Sequence, residues 1–375
     1  MSDVVRVLVG GTYHDQWDSY RLDSDLLTPA DDWHVTASYR NEDGKPETMP
    51  SFIQEGAPIK IMLDNDLILD GRIDDIDEDV SKENRTLELW GRDHASLLVD
   101  CSAPLLTMQQ ATLDQIIKRA VAMVGIKTVR YDAKPAAPRQ KVQTEPGQNI
   151  WEWLQSACEA NLVWPWFTPD GVLVIGQPDY TTAPVANVIL RFDGAGNNAL
   201  GIRRRRSLRK SYSEVTILGQ ASAEGEVGNH NIKGVATDAT VPVYRPRVVI
   251  DGNCENAQLA NHRAQKLIAD GRMSRDTLTI EVEGHRIREG NGAGKPWAPG
   301  MRINVQSEPH GIDNAVYFVI GRTFIRSRSR VANYTELRVI PDGTWLLDIP
   351  FVKAKRRSSY GTRKGQYTGE YDAAE

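Results

Sequence analysis

Between residues 58 and 103 hydrophobic and polar positions alternate with period 2, first in PIKIMLDNDLILDGRIDD and again in RTLELWGRD. Such alternation predicts strands with one face turned to a core. A charged turn separates the first two strands from the third, which runs into Gly91-Arg92-Asp93 and a short apolar helix. The segment reads as a piece of a β-barrel. The same signal predicts strands at 4–10, 33–39, 58–64, 67–76 and 85–92, with Asp64-Asn65-Asp66 as a tight turn. Residues 1–104 therefore read as a first β-barrel domain.

The period changes after Pro104. Thr112 is placed to cap a helix over TLDQIIKRAVAMVG, whose apolar positions recur at helical spacing and which Gly125 stops. Residues 133–147 read as a loop, 149–161 as a second helix, and 162–168 and 171–176 as strands joined at Pro169-Asp170-Gly171. Residues 105–186 thus form an α/β domain. Strand character returns at 187–192 and 201–219, with Gly225 and Gly228 marking a loop. A strand at 243–250 leads to Asn253, an N-cap for a helix over 254–270 that ends at Gly271. Strands resume at 275–284, 301–306, 315–325 and 334–340. The expected architecture is mainly β with α+β insertions. A second β-barrel, built from 187–220 and 275–346, surrounds an inserted α/β segment at 221–274, and a flexible basic tail occupies 347–375.

Length and composition agree with a multidomain globular chain. The 375 residues are 40% hydrophobic and 25% charged, which suggests about 2–3 domains. The start, MSDVVRVLVGG, carries an acid at position 3 and no apolar run of secretory-signal type. No stretch has a membrane helix's run of apolar residues. Cys101, Cys158 and Cys254 are odd in number and far apart, as expected of reduced thiols in a cytoplasmic folding environment. The sequons at Asn84 and Asn333 then carry little weight.

Charge is unevenly placed. Arg203, Arg204, Arg205, Arg206, Arg209 and Lys210 form one basic cluster, and Lys353, Lys355, Arg356, Arg357, Arg363 and Lys364 form another. Neither contains an acid, and the net charge of the whole chain is −5. An acidic body with two basic patches is the opposite of a general nucleic-acid binder. The Arg203–Arg206 run lies among strand signals, so alternation sends successive arginines to opposite faces. It reads as a solvated edge or a source of intersubunit salt bridges, ahead of nucleic-acid contact.

Candidate chemistry fails on spacing. Gly290-Asn291-Gly292-Ala293-Gly294-Lys295 resembles a phosphate loop, but Glu289 and Pro296 stand where that loop needs Gly and Ser or Thr. Asp74, Asp75, Asp77, Glu78 and Asp79 lack the offsets and glycine of a calcium loop and read as a solvated turn. The seven histidines show no zinc spacing, and no G-x-S-x-G elbow occurs. Trp151, Trp153, Trp164 and Trp166 are dense enough to suggest a stacking platform, although core packing is the plainer reading. Catalytic residues, cofactors and metals are expected to be absent.

Several motifs carry a resemblance in order along residues 1–350. They are Leu69-Asp70-Gly71-Arg72-Ile73-Asp74, Gly91-Arg92-Asp93, Leu97-Leu98-Val99-Asp100-Cys101, Tyr212-Ser213-Glu214-Val215-Thr216 before Gly219, Gly234-Val235-Ala236-Thr237-Asp238, and Tyr244-Arg245-Pro246-Arg247-Val248-Val249-Ile250. Together they resemble the baseplate hub protein of Mu-like contractile phage tails, the tail protein P family. The N-terminal part of VgrG spikes is similar. The resemblance implies a structural, non-enzymatic homotrimer. Its two barrels per chain would form a pseudo-sixfold ring joining the sixfold tail tube to the threefold central spike, with a channel for DNA in transit.

The same resemblance implies residence in the virion's tail baseplate after assembly in the host cytoplasm. The partners it implies are the tail tube or a distal tail protein, the spike and the baseplate wedge, with no stable membrane association. Arg92 and Asp93 would pin the strand-to-helix junction and do no chemistry. The basic residues Lys353, Lys355, Arg356, Arg357, Arg363 and Lys364 are expected to contact an acidic partner. The rival functions are a virion-associated cell-wall hydrolase with dispersed carboxylates and a glycan-binding module using the tryptophans.

Overall fold

The computed structural model describes residues 3–38, 51–82, 85–132, 139–161, 163–219, 232–252, 254, 256–327 and 332–344. The first strand set comprises β1 (Val5–Val9), β2 (Thr12–His14), β3 (Ser19–Asp25), β4 (Asp32–Ser38), β5 (Pro58–Leu63), β6 (Asp66–Val80) and β7 (Arg85–Asp93). Burial alternates along β1, β3, β5 and β7, the mark of strands with one face in a core. Hydrogen bonding runs in the order β3-β4-β7-β6-β5-β1-β2. The strand β6 continues to Val80, well past residue 76. The acidic residues from Asp75 to Asp79 therefore lie on a strand paired with β7, where a turn was expected. Their side chains stay largely in solvent, which is why an acidic stretch is tolerated there.

The second unit runs through α1 (Ser96–Asp100), β8 (Thr107–Ala111), α2 (Leu113–Met123), β9 (Val129–Tyr131), β10 (Arg139–Gln143), α3 (Ile150–Ala160), β11 (Trp164–Phe167) and β12 (Leu173–Gly176). Both longer helices begin with reciprocal capping, Thr112 with Gln115 and Asn149 with Glu152. After α2, Gly125 adopts φ +76° and the Ile126 amide reaches back to the Val121 carbonyl, closing the helix as the sequence predicts.

The rest of the chain builds a second strand set and a third unit. The strands β13 (Ala186–Leu190) and β14 (Ala199–Arg206) are followed by β15 (Glu214–Leu218), β16 (Lys233–Thr237), β17 (Pro246–Ile250) and α4 (Ala257–Met273). Then come β18 (Asp276–Glu283), β19 (Arg302–Ser307), β20 (Ile312–Arg326) and β21 (Tyr334–Pro341). The expected single strand over 201–219 is broken. At Ser207 the chain leaves the second set, and β15 pairs instead with β16 and β17 under α4. The insertion into the second set thus begins near residue 207, ahead of the expected 221.

The helix α4 also differs from expectation. It starts at an Asn256 cap, and Asn253 lies outside the described residues. It passes through Gly271 without stopping. A Cβ on Gly271 would lie 2.7 Å from the Lys210 carbonyl, so this glycine permits a close chain crossing and ends no helix.

The two strand sets share one plan. The second runs β14-β18-β21-β20-β19-β13, which matches β3-β4-β7-β6-β5-β1 strand for strand. Their long strands β6 and β20 are each 15 residues and each carry a register shift against the following strand. One pairing differs: β1 is antiparallel to β5, whereas β13 is parallel to β19. The sets are also continuous, because β20 pairs with β3 from Gly321↔Asp25 to Arg326↔Tyr20. A single hydrophobic core runs through both, from Val7, Trp33 and Ile61 to Ile280, Phe324 and Val339.

Candidate assembly surface

The motif residues of the first set meet across one strand pair. Register places Gly71 opposite Asp93, Arg72 opposite Arg92 and Ile73 opposite Gly91. A Cβ on Gly91 would fall 1.9 Å from the Arg72 carbonyl and 2.7 Å from the Trp33 ring, so only glycine fits. Arg92 Nε donates to Asp74 at 2.6 Å, and its two terminal nitrogens donate to the Asp100 carboxylate at 3.0 and 2.7 Å. These bonds hold the guanidinium protonated and pull Asp100 below its ordinary pKa.

Asp93 is buried. Its carboxylate accepts from the Ala95 amide at 2.9 Å, its carbonyl accepts from Ser96 Oγ, and its amide donates to the Asp31 carbonyl. Burial and the neighbouring Asp31 raise its pKa well above the carboxylate range. The pair thus occupies the turn from β7 into α1, Arg92 tying β6 to the helix end and Asp93 fixing the first turn.

A polar seam joins the two strand sets. Arg338 bridges Asp23 and Asp25 at 2.8 and 2.9 Å, on the strand that β20 pairs with. Arg322 is buried beside them and donates to the Leu22 carbonyl at 3.1 Å; burial pushes its pKa down to about 10. Desolvation raises Asp31, in the same cluster, to about 6. On another flank Arg286 spans to Asp64 at 3.1 Å and Asp66 at 2.7 Å. A second seam joins α3 to α4: Glu159 accepts from Arg263 and lies 3.2 Å from Lys266, which also bonds Asp270 at 2.6 Å. Apart from Asp64 and Asp66, which the sequence marks only as a turn, none of these residues stood out in the sequence, because most are single polar residues whose partners are distant in the chain.

The arginine run divides as alternation requires. Arg204 turns to Asp276 at 2.6 Å, while Arg203 and Arg205 are exposed on β14, an edge of the sheet path. The tryptophans form no open platform. Trp151, Trp153 and Trp164 are at most 8% exposed and belong to hydrophobic clusters. Residues 290–295 form a turn between β18 and β19, where the Gly292 amide donates to the Val185 carbonyl.

Among the described residues no group of His, Cys, Asp and Glu is arranged to hold a metal, and no helix is long and apolar enough to cross a membrane. One small open cleft is lined by polar groups including Asn187, Asn304 and Asp313. Another open cleft, of about 730 Å³, is lined by residues that include Arg206, Thr240, Arg275 and Thr344. Lys353, Lys355, Arg356, Arg357, Arg363 and Lys364 lie outside the described residues.

What the geometry offers is surface and rigidity: a doubled strand set locked by ionic seams, with charged edges facing out. This is the fold of phage-tail hub proteins. Family models match four consecutive stretches: Mu phage baseplate assembly protein GpP-like, N-terminal, at residues 4–93; baseplate hub protein gp44-like, second domain, at 95–177; tail protein NMB1110-like, third domain, at 211–268; and tail protein, C-terminal domain, at 270–344. A tail protein from Neisseria meningitidis MC58 is 34% identical, with TM-score 0.78 over 91% of this chain and 97% of that one.

Baseplate hub protein gp44 of Escherichia phage Mu is 23% identical over 337 residues, 87% of this chain and 84% of that protein. The 43 kDa tail protein of prophage MuSo2 from Shewanella oneidensis superposes with TM-score 0.78 at 22% identity, over 91% of this chain and 99% of that one. The chain belongs to the Mu-like phage tail protein family that includes the baseplate hub, and it is a structural hub protein of the tail baseplate. The fold is shared more distantly by the E. coli c3393 protein of the type VI secretion system, at 12% identity and TM-score 0.57, over 89% of this chain and 76% of that one.

Proposed function

We propose that three copies of this chain form a ring at the base of a contractile tail, adapting the sixfold tail tube to the threefold central spike and leaving a channel for DNA. The observation that carries this reading is the common strand order of the two sets. A threefold ring presents each surface three times, and a tube ring presents six. Two sets of one plan supply six near-equivalent docking surfaces from three chains. The continuous β3·β20 pairing and the Arg338 seam keep both sets in one rigid body, as a load-bearing ring requires.

In this scheme residues 1–104 and the split second set dock the tube or a distal tail protein. Baseplate wedge proteins are further partners. The basic segment from Lys353 to Lys364 engages the spike. Arg92 and Asp93 act only by holding the β7–α1 turn. The protein performs no chemical turnover, is assembled in the host cytoplasm and forms no stable association with membrane. Burial of Trp151, Trp153 and Trp164 argues against a glycan-binding platform built on the tryptophans.

Light scattering after gel filtration tests the oligomer. The expected mass is three times that of the 41.8 kDa chain, plus the mass of any partner bound to it. A stable dimer or hexamer at high concentration contradicts the scheme. Hydrolysis of peptidoglycan by the pure protein, lost on one carboxylate substitution, would show an enzyme instead.

A further inference from the structure

The third unit is a three-stranded sheet with one face packed against α4 and the other partly open. Val215, Ile217 and Ala236 point toward α4 and pack with Ala260, Ala264 and Ile268. Gly234 brings the sheet so near α4 that a Cβ there would lie 2.1 Å from the Ala260 carbonyl carbon. The opposite face is largely apolar and open along its β17 edge, less so at Val235 and Leu218, with Thr216 buried between them. Register sets Val235, Thr216 and Val248 in one row, and Lys233, Leu218 and Ile250 in the next. Val248 is 63% exposed and Ile250 71%. Apolar side chains gathered on one open face mark a docking surface.

We propose that residues 345–352 of the same chain, WLLDIPFV, cover this face. Three observations select that occupant. First, the described chain ends at the loop end of this sheet: Thr344 lines the same cleft as Thr240 and Arg275, and Thr240 sits in the loop that joins β16 to β17. That loop is anchored at the Pro246 end of the face, where the Ser213 amide donates to the Arg245 carbonyl.

Second, the segment after Thr344 is long enough. Eight residues reach about 26–29 Å when extended. The face from Pro246 to Ile250 is about 13 Å long at strand rise, which leaves a similar length to cross the cleft and the loop. Val243 and Tyr244 are exposed on that loop, so the path itself is apolar. Third, the chemistry matches. Seven of the eight residues are apolar and the run stops at Lys353, where the basic segment begins. Docking 345–352 on the sheet would anchor that basic segment at the rim of the third unit, whatever its partner is.

Thiol labelling tests the inference. In a Cys101→Ser background, Val248→Cys reports on the face and Leu105→Cys, a separate variant in the second unit, reports on an exposed site outside it; Cys158 and Cys254 are buried. Maleimide should modify Val248→Cys at least tenfold more slowly in the full chain than in a chain ending at residue 344. Leu346→Asp with Leu347→Asp in the full chain should restore fast labelling without truncation, while the Leu105→Cys rate stays constant. A Val248→Cys, Leu347→Cys pair should oxidise to a disulfide within one chain.

Equal labelling rates in the full chain, the shortened chain and the double Asp variant would overturn the inference. So would slow labelling that appears only as protein concentration rises, or a disulfide formed only between chains, because a second copy would then be the occupant.

Discussion

The hydroxyl of Tyr20 lies 2.8 Å from Nε2 of His285, a bond between residues 265 apart in sequence that crosses from the first strand set to the second. Thr335 Oγ1 donates to the Gly284 carbonyl at 2.6 Å, so it accepts from His285 Nδ1 at 3.1 Å. Burial keeps the ring neutral, so its proton sits on Nδ1 and Nε2 accepts from Tyr20. It is fully buried. Desolvation, aided by the nearby Arg322 and Arg286 charges, lowers its pKa to about 3.

That relationship predicts an acid sensitivity. The unfolded chain takes up a proton near the ordinary value of 6.5, whereas the folded chain resists it down to about 3. Stability from this group is complete above 6.5 and falls as pH drops through that window. At pH 5 the loss is about 2 kcal/mol. His285→Gln does not titrate, so the stability gap between wild type and variant should narrow by about that amount from pH 7 to pH 5. Urea unfolding at both pH values checks it, and parallel pH profiles would contradict it.

Gly91→Ala should destabilise the fold by about 3 kcal/mol or more. The obstacles to the added methyl are a backbone carbonyl at 1.9 Å and the buried Trp33 ring at 2.7 Å, and neither can swing aside. Denaturant unfolding measures the loss. A change below about 1 kcal/mol would mean that β6 and β7 separate more easily than their packing implies.

Arg92→Ala should cost about 1–2 kcal/mol, since the side chain is partly exposed but serves two carboxylates at once. Arg92→Lys should recover less than half of that, because an ammonium cannot span Asp74 and make the paired bond to Asp100. Full recovery by lysine would show that charge alone matters at the junction.

Much of this was legible in the chain. Alternation in residues 58–93 marked β5, β6 and β7, and Thr112 and Gly125 marked both ends of α2. Other elements were hidden for identifiable reasons. The strand β3 reads SYRLDSD, with only Tyr20 and Leu22 as apolar inward residues, because its charges serve the seam to β20. The joint itself pairs residues about 300 positions apart, as Arg322 with Ser24, and no local pattern reports such pairing. Gly271 resembled a helix stop but answers a contact with Lys210, which only the fold reveals.

The double charge reversal Arg203→Glu, Arg205→Glu should leave the melting temperature within about 1–2 °C, since both side chains point to solvent. It should weaken assembly of the ring, because an edge strand then presents acid to an acidic body. Calorimetry and light scattering on the same samples separate the two effects. A large loss of folding stability would contradict the solvent-facing placement of these arginines, and undisturbed assembly would contradict intersubunit salt bridges at this edge.

Ending the chain at residue 352 should leave the melting temperature almost unchanged and weaken spike binding, more strongly at low salt. The removed segment carries six basic residues before its first acid and few apolar ones, so it adds steering charge and little core. Unfolding of the body, or spike binding that survives intact at low salt, would contradict this assignment.

The most direct test of the hub account is an electron-microscopic reconstruction of the assembled baseplate. The account predicts three copies of this chain around the tail axis, with β1–β7 and the β13, β14 and β18–β21 set alternating as six surfaces against the tube. A copy number other than three, or a ring in which only one of the two sets meets the tube, would contradict it.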